Sequence, residues 1–166
     1  MRSEEALLGN FILTAGGGKL IEPLKVGLGL LEPEYRKLDW KPWHMAIVVR
    51  EGEDPLIFEG WFPRARVVPL SIYQDYRIHW WLDQPPSQAK VDEFVASRLG
   101  ALYDPACYIW TIMARALHLP IPRINDRLFT CWELAADFAL WFGEPWHDMY
   151  EYPLITDFLR AEGEIP

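Results

Sequence analysis

Four short β-branched runs follow one another between residues 43 and 82, each set off by turn residues, and this spacing does most to limit the folds open to the chain. Residues 43–50 (Trp-His-Met-Ala-Ile-Val-Val-Arg) read as a strand, Glu51-Gly52-Glu53-Asp54-Pro55 as a turn, and residues 56–61 as a second strand. Further strands follow at residues 66–70 and 76–82. Before them, residues 10–14 form a short strand that ends at Ala15-Gly16-Gly17-Gly18. Those glycines lack the lysine and hydroxyl spacing of a phosphate loop, so they read as a flexible turn. Residues 19–31 have mixed periodicity broken by Pro23, Gly27 and Gly29, which leaves a short helix or an irregular loop.

Helical patterns come after the strands. Pro85-Pro86-Ser87 opens a helix with Val91, Phe94, Val95 and Leu99 on one face, and Gly100 closes it. Asp104-Pro105 supplies an N-cap and a first-turn proline for a helix reaching about His118. That segment is apolar nearly all round and should be buried. Strands first and helices after is the order of an α+β fold with an antiparallel sheet. A length of 166 residues fits one domain over 1–166, with a core at residues 6–142 and an aromatic, acidic tail at 143–166 packed over it.

Sixteen basic against twenty-four acidic residues leave a formal charge of −8, which disfavours nucleic acid or an anionic membrane surface as partner. The opening Met1-Arg2-Ser3-Glu4-Glu5 is not a secretory signal, and the apolar run Ala6-Leu7-Leu8 stops at Gly9-Asn10. No segment approaches the roughly 20 apolar residues of a membrane span. Two cysteines, Cys107 and Cys131, make no disulfide framework, so the expected location is cytoplasmic. Delivery that needs no signal peptide, for example by a phage lysis system, is left open.

Cys131 stands at the start of a helix. Thr130 and Glu133 form a capping box, and the apolar positions Leu134, Ala135, Phe138 and Leu140-Trp141-Phe142 follow until Gly143 and Pro145 stop the helix. A thiolate in the first helical turn is stabilised by the helix dipole, and the thiolate is the nucleophile. The alternative is a small buried hydrophobe. Cys107, inside an apolar helix, reads as the buried, unreactive kind.

A catalytic cysteine needs a base and a third group that fixes the imidazole tautomer. Of four histidines, His79, His118 and His147 read as structural or solvated. His44 differs because of what faces it. If the turn after Arg50 has an even loop, Arg50 opposes Pro55, Ala46 faces Glu59, and His44 faces Trp61, with Glu59 diagonal to His44. An odd loop without a bulge would turn Glu59 to the other face and leave it a solvated strand-end charge.

Strand-His44, strand-Glu59 and helix-start Cys131, in that order, resemble the circularly permuted branch of the NlpC-like papain-fold cysteine hydrolases. These are the YiiX-like proteins, relatives of the lecithin:retinol acyltransferase group. Gly9-Asn10-Phe11-Ile12-Leu13 is similar to the branch's opening Gly-Asp-hydrophobic strand, and Trp43-His44-Met45-Ala46-Ile47 to its Ser-His-hydrophobic strand. Ile57-Phe58-Glu59-Gly60 is similar to its hydrophobic-Glu-small segment, Gly100-Ala101-Leu102-Tyr103-Asp104 to its Gly-x-x-Tyr-Asp element, and Cys131-Trp132-Glu133-Leu134 to its Cys-Ser-Glu-Leu element. The likeness covers residues 6–142. Asn10, Trp43 and Trp132 depart from the branch pattern, and the two tryptophans imply a more aromatic pocket.

The resemblance implies a permuted papain-like fold, an antiparallel sheet followed by a helical layer that carries the nucleophile. It implies a thiol hydrolase in which Cys131 attacks a carbonyl, His44 is base then acid, and Glu59 orients His44. The Cys131 backbone N–H is an oxyanion candidate, and by its place in the resemblance Tyr103 adds a hydroxyl. Strand parity puts Trp43 on the face away from His44, whereas Trp61 and Trp132 are expected to wall a substrate groove. Expected substrates are a peptide, a peptidoglycan-derived peptide or an acyl-bearing ester; acyl transfer at the same site and a non-catalytic binding module are the alternatives. Neither Cys-x-x-Cys nor His-Glu-x-x-His occurs, so no metal and no cofactor are expected.

Overall fold

The computed structural model describes residues 6–16, 22–80, 82–105, 117, 128–143, 155–161 and 163. Strand β1 (Phe11–Thr14) is followed by helices α1 (Glu22–Leu31) and α2 (Pro33–Lys37), then by strands β2 (His44–Arg50), β3 (Leu56–Glu59) and β4 (Arg66–Pro69). A 3-10 turn (Leu70–Ile72) leads to β5 (Tyr76–His79) and to helix α3 (Gln88–Arg98). Two short strands, β6 (Leu102–Tyr103) and β7 (Leu128–Phe129), precede α4 (Cys131–Trp141), and α5 (Ile155–Ala161) closes the described chain. The expected helix from Asp104 to His118, with Cys107, lies largely outside the described residues, as does His147.

The five long strands form one antiparallel sheet in the order β4-β3-β2-β1-β5, so the fold is mixed α+β. Strands β6 and β7 pair separately, in parallel. Within the segment 19–31 the described residues are helical: α1 forms from Glu22 despite Pro23, Gly27 and Gly29, and α2, not anticipated from the pattern, starts at Pro33. Gly29 is where the two helices meet, since a Cβ there would fall 2.9 Å from Arg36 Cγ. Arg36 also donates its Nε–H to the Gly29 carbonyl. Strands therefore do not all precede helices, because two short helices sit between β1 and β2.

Alternation along the strands divides the interior into two layers. Phe11 and Leu13 of β1, Met45, Ile47 and Val49 of β2, and Phe58 of β3 point to the helical face. They pack with Val91 and Phe94 of α3, with Trp132, Ala135 and Phe138 of α4, and with Ile155, Phe158 and Leu159 of α5. Burying each such large side chain contributes about 1.5–3 kcal/mol, which makes this layer the main source of cohesion. The described part of the tail does lie against the core. On the other face Ile12, Ala46, Val48, Ile57 and Leu70 form a smaller cluster with Ala6.

The β2–β3 hairpin carries the register on which the site depends. Ala46 faces Glu59, Ile47 faces Phe58 and Val48 faces Ile57. The turn itself corrects the sequence reading: Arg50 opposes Leu56 rather than Pro55, and the register shifts by a bulge between Val48 and Arg50. The loop is thus odd, and the extra residue in β2 restores the parity that an odd loop alone would have lost. Among the described residues no helix is long and apolar enough to cross a membrane.

Candidate active site

Cys131 is the first residue of α4, delivered there by β7 and held by a complete capping box. The Glu133 N–H donates to Thr130 Oγ1 at 3.2 Å, and the Thr130 N–H donates to Glu133 Oε2 at 2.7 Å. The helix start is lodged against the end of β3. A Cβ on Gly60 would fall 3.1 Å from the Cα and N of Cys131 and from the Thr130 carbonyl oxygen, so a side chain there would need the helix start to give by a few tenths of an ångström. All three polar residues are buried, with Cys131 3%, His44 1% and Glu59 0% exposed.

His44 opens β2. Its Nε2 lies 2.8 Å from Glu59 Oε2, and the Cys131 side chain is near enough to the ring to act on its charge. Since Nε2 is taken by Glu59, Nδ1 is the nitrogen left for the thiol. Burial opposes a charge on the imidazole. The Cys131 charge and hydrogen bond, followed by the hydrogen bond and charge of Glu59, outweigh it and raise the His44 pKa from 6.5 to about 9.

Glu59 is surrounded by donors. Besides His44, the Tyr73 hydroxyl donates to Oε2 at 2.5 Å, and Arg66 brings Nε and Nη2 each to 2.8 Å from Oε1. Burial favours the neutral acid, but the bond and charge of His44, then Tyr73 and Arg66, hold the carboxyl below its ordinary range. Burial, followed by the Glu59 charge, pushes the Tyr73 hydroxyl well above its usual pKa, which keeps it a donor.

Aromatic rings enclose the imidazole. Trp61 meets it edge-on at 5.1 Å between centroids, Trp43 lies 5.2 Å away, and Tyr73 lies 5.9 Å away. Trp61 is half-buried, touches Trp43 at 5.8 Å, and carries the Arg66 guanidinium 5.0 Å over its ring.

Two expectations about tryptophan need correction. Trp132, expected to wall a groove, is 1% exposed and packed in the main core, because α4 is buried on nearly every side at its start. Trp43 is buried, yet it lies against His44 and Trp61 rather than on the far face. Strand β2 begins at His44, so parity does not extend back to Trp43. Tyr103 sits in β6 opposite Phe129, on the strand pair that leads into Cys131, with its backbone N–H on the Pro63 carbonyl. His79 faces Phe11, at the other end of β1 from Thr14, the residue that faces His44.

Arg66 and Tyr73 are site residues that sequence reasoning passed over. Arg66 had a signal, since β4 pairs it directly with Glu59 as an opposite-charge cross-strand pair. Tyr73 had none, because the 3-10 turn that aims it is a tertiary feature. Asn10, at the variant strand position, accepts the Leu7 N–H at 2.6 Å and shapes the turn into β1. Among the described residues no group of three or more His, Cys, Asp or Glu side chains is arranged to hold a metal ion. In comparisons with known proteins, no family model and no curated sequence matches the chain.

Proposed function

We propose that the chain is a cysteine hydrolase with a permuted papain-like fold, acting through an acyl-enzyme on an amide or ester bond. One observation carries the reading: a buried imidazole bonded to a carboxylate at 2.8 Å, with the cysteine of a capped helix start close enough to act on its charge. That is the nucleophile, base and orienter relation generalised from catalytic triads. The order His44, Glu59, Cys131 along the chain is the order of the YiiX-like branch, which supports the same fold assignment.

In this mechanism His44 takes the Cys131 proton and Sγ attacks the carbonyl carbon. The C=O electrons move to oxygen, and the Cys131 N–H, which has no partner within its own helix at this first position, donates to that oxyanion. As the C–S bond stays and the bond to nitrogen or oxygen breaks, imidazolium returns its proton to the leaving amine or alcohol. The product is a thioester on Cys131. Water activated by His44 completes hydrolysis, while a bound amine or alcohol would complete acyl transfer instead. Peptides, peptidoglycan-derived peptides and acyl esters are the substrate classes to try, and a free thiol nucleophile suits a reducing compartment such as the cytosol.

The test is alkylation of native protein by iodoacetamide at about pH 6, well below the roughly 8.5 of an ordinary thiol, with mass mapping of the modified peptide. Cys131 should react selectively, Cys107 should be spared, and His44→Ala should slow the Cys131 reaction sharply. A Cys131 that reacts no faster than an ordinary thiol, and ignores His44, would leave a non-catalytic binding module as the better reading.

A further inference from the structure

Glu59 receives more hydrogen bonds than an orienting carboxylate needs. A carboxylate held by the imidazole alone can rotate about its terminal bond and swing Oε2 away from Nε2. Here Oε1 is gripped by two nitrogens of Arg66, and Oε2 takes the Tyr73 hydroxyl together with His44 Nε2. Arg66 is itself steadied by the Trp61 ring beneath it and lies 42% exposed by side chain, at the edge of the buried cluster. Tyr73 touches both members, with its hydroxyl on the carboxylate and its ring beside the imidazole.

We propose that Tyr73 and Arg66 are positioning residues, which act on His44 through Glu59 by fixing both carboxylate oxygens so that Oε2 stays aimed at Nε2. The proposal rests on the catalytic reading of Cys131, His44 and Glu59 and extends it to a five-residue relay. A fully buried carboxylate is costly unless its charge is compensated, and among the described residues Arg66 supplies the one formal positive charge on it besides the imidazolium. The relay also fixes the tautomer: with the Nε2 proton directed at Glu59, Nδ1 is left to accept the thiol proton. Among the described residues, the titratable and charged groups facing Glu59 are His44 of β2, Arg66 of β4 and Tyr73, with Cys131 of α4 across the imidazole. Strand β1 adds only Thr14 opposite His44.

The sign of the pH effect follows. Tyr73 and Arg66 both favour the ionised carboxylate, so removing either lets Glu59 take a proton at higher pH and weakens its hold on the imidazole. The experiment is the pH profile of Cys131 alkylation by iodoacetamide in wild type, Tyr73→Phe and Arg66→Met. A hydrogen bond to a charged group is strong enough that each variant should react about tenfold more slowly than wild type near pH 5, with rates converging toward pH 8. Arg66→Lys should recover part of the Arg66→Met loss, because the charge returns without the two-nitrogen grip.

Glu59→Gln provides the decisive background. If Tyr73 acts through the carboxylate, Tyr73→Phe should add less than twofold to Glu59→Gln at either pH. A pH-independent loss in Tyr73→Phe, or an equal loss with and without Glu59, would overturn the proposal while leaving the catalytic reading intact. Should Tyr73→Phe fold poorly, the partly exposed Arg66→Met in the same two backgrounds decides by the same criterion. A wild-type Cys131 without His44-dependent reactivity would instead sink the parent reading, and the relay with it.

Discussion

Phe58 and Glu59 are neighbours in β3, equally buried, and they belong to different parts of the molecule. Phe58 points to the helical face, where it meets Phe94 edge-on at 6.2 Å in a layer that holds α3, α4 and α5 to the sheet. Glu59 points to the other face, into a small cluster whose polar members are His44, Arg66 and Tyr73. The same division separates Met45 from His44 in β2. One face of the sheet is built from interchangeable apolar volume, and the other sets specific polar atoms at specific distances beside a smaller apolar cluster. The imidazole and carboxylate thus stand on the less cohesive face, and Cys131 reaches them from the helix of the main core.

Four substitutions break this comparison in turn. Cys131→Ala should have the largest effect, a loss on the order of ten-thousandfold or more in turnover of any accepted amide or ester, since nucleophile and base act as a unit. Its unfolding midpoint should move little, because one small side chain is lost. Turnover assays beside thermal unfolding check both halves, and retained turnover would end the mechanism.

The neighbouring pair sharpens it. Phe58→Ala should cost about 3–5 kcal/mol of stability with rate per folded molecule nearly kept. Glu59→Gln should do the reverse, lowering the rate by roughly ten- to a thousandfold because the amide still accepts the Nε2 proton but carries no charge. Acid unfolding separates them further. The carboxyl of Glu59 is held below its ordinary value, so it contributes stability above about pH 4.5 that is lost as pH falls through the folded value. Wild type and Phe58→Ala should show that acid loss, and Glu59→Gln should lack it. Denaturation followed across pH is the measurement.

Gly60→Ala is the mildest of the four and probes the seam between the faces. Its methyl would press on Cys131 and Thr130 backbone atoms at 3.1 Å, so a shift of a few tenths of an ångström must follow. A rate loss of about tenfold with about 1–3 kcal/mol of destabilisation is expected, because an added methyl strains the packing and displaces Cys131. If rate and stability both stayed at wild-type level, close approach of β3 to α4 would not matter to the site.

Much of this architecture is legible in residue patterns. The strands at β1 to β5, the Ser87-capped α3 and the Thr130–Glu133 capping box all follow from local chemistry, namely β-branched alternation and side-chain caps. Boundaries ran long, with β3 ending at Glu59 and β5 at His79, because strand propensity continues past the last paired residue. The meeting of His44 with Glu59 was legible only conditionally. It required the correct parity, and the bulge that supplies it leaves no mark in a β-branched run such as Ile47-Val48-Val49.

Sequence alone determined the parts with a local cause: an N-capped helix starting at Cys131, an alternating strand starting at His44, and a carboxylate two residues before Trp61. Tertiary structure decided what those parts touch. It turned Trp132 into core and Trp43 toward the imidazole, brought Tyr73 from the 3-10 turn onto Glu59, and set Gly60 against the helix start. Periodicity and capping depend on residues a few positions apart, so a chain displays them directly. Contacts between distant segments depend on where bulges, turns and strand ends fall in three dimensions, and those are settled only when the two faces of the sheet are packed together.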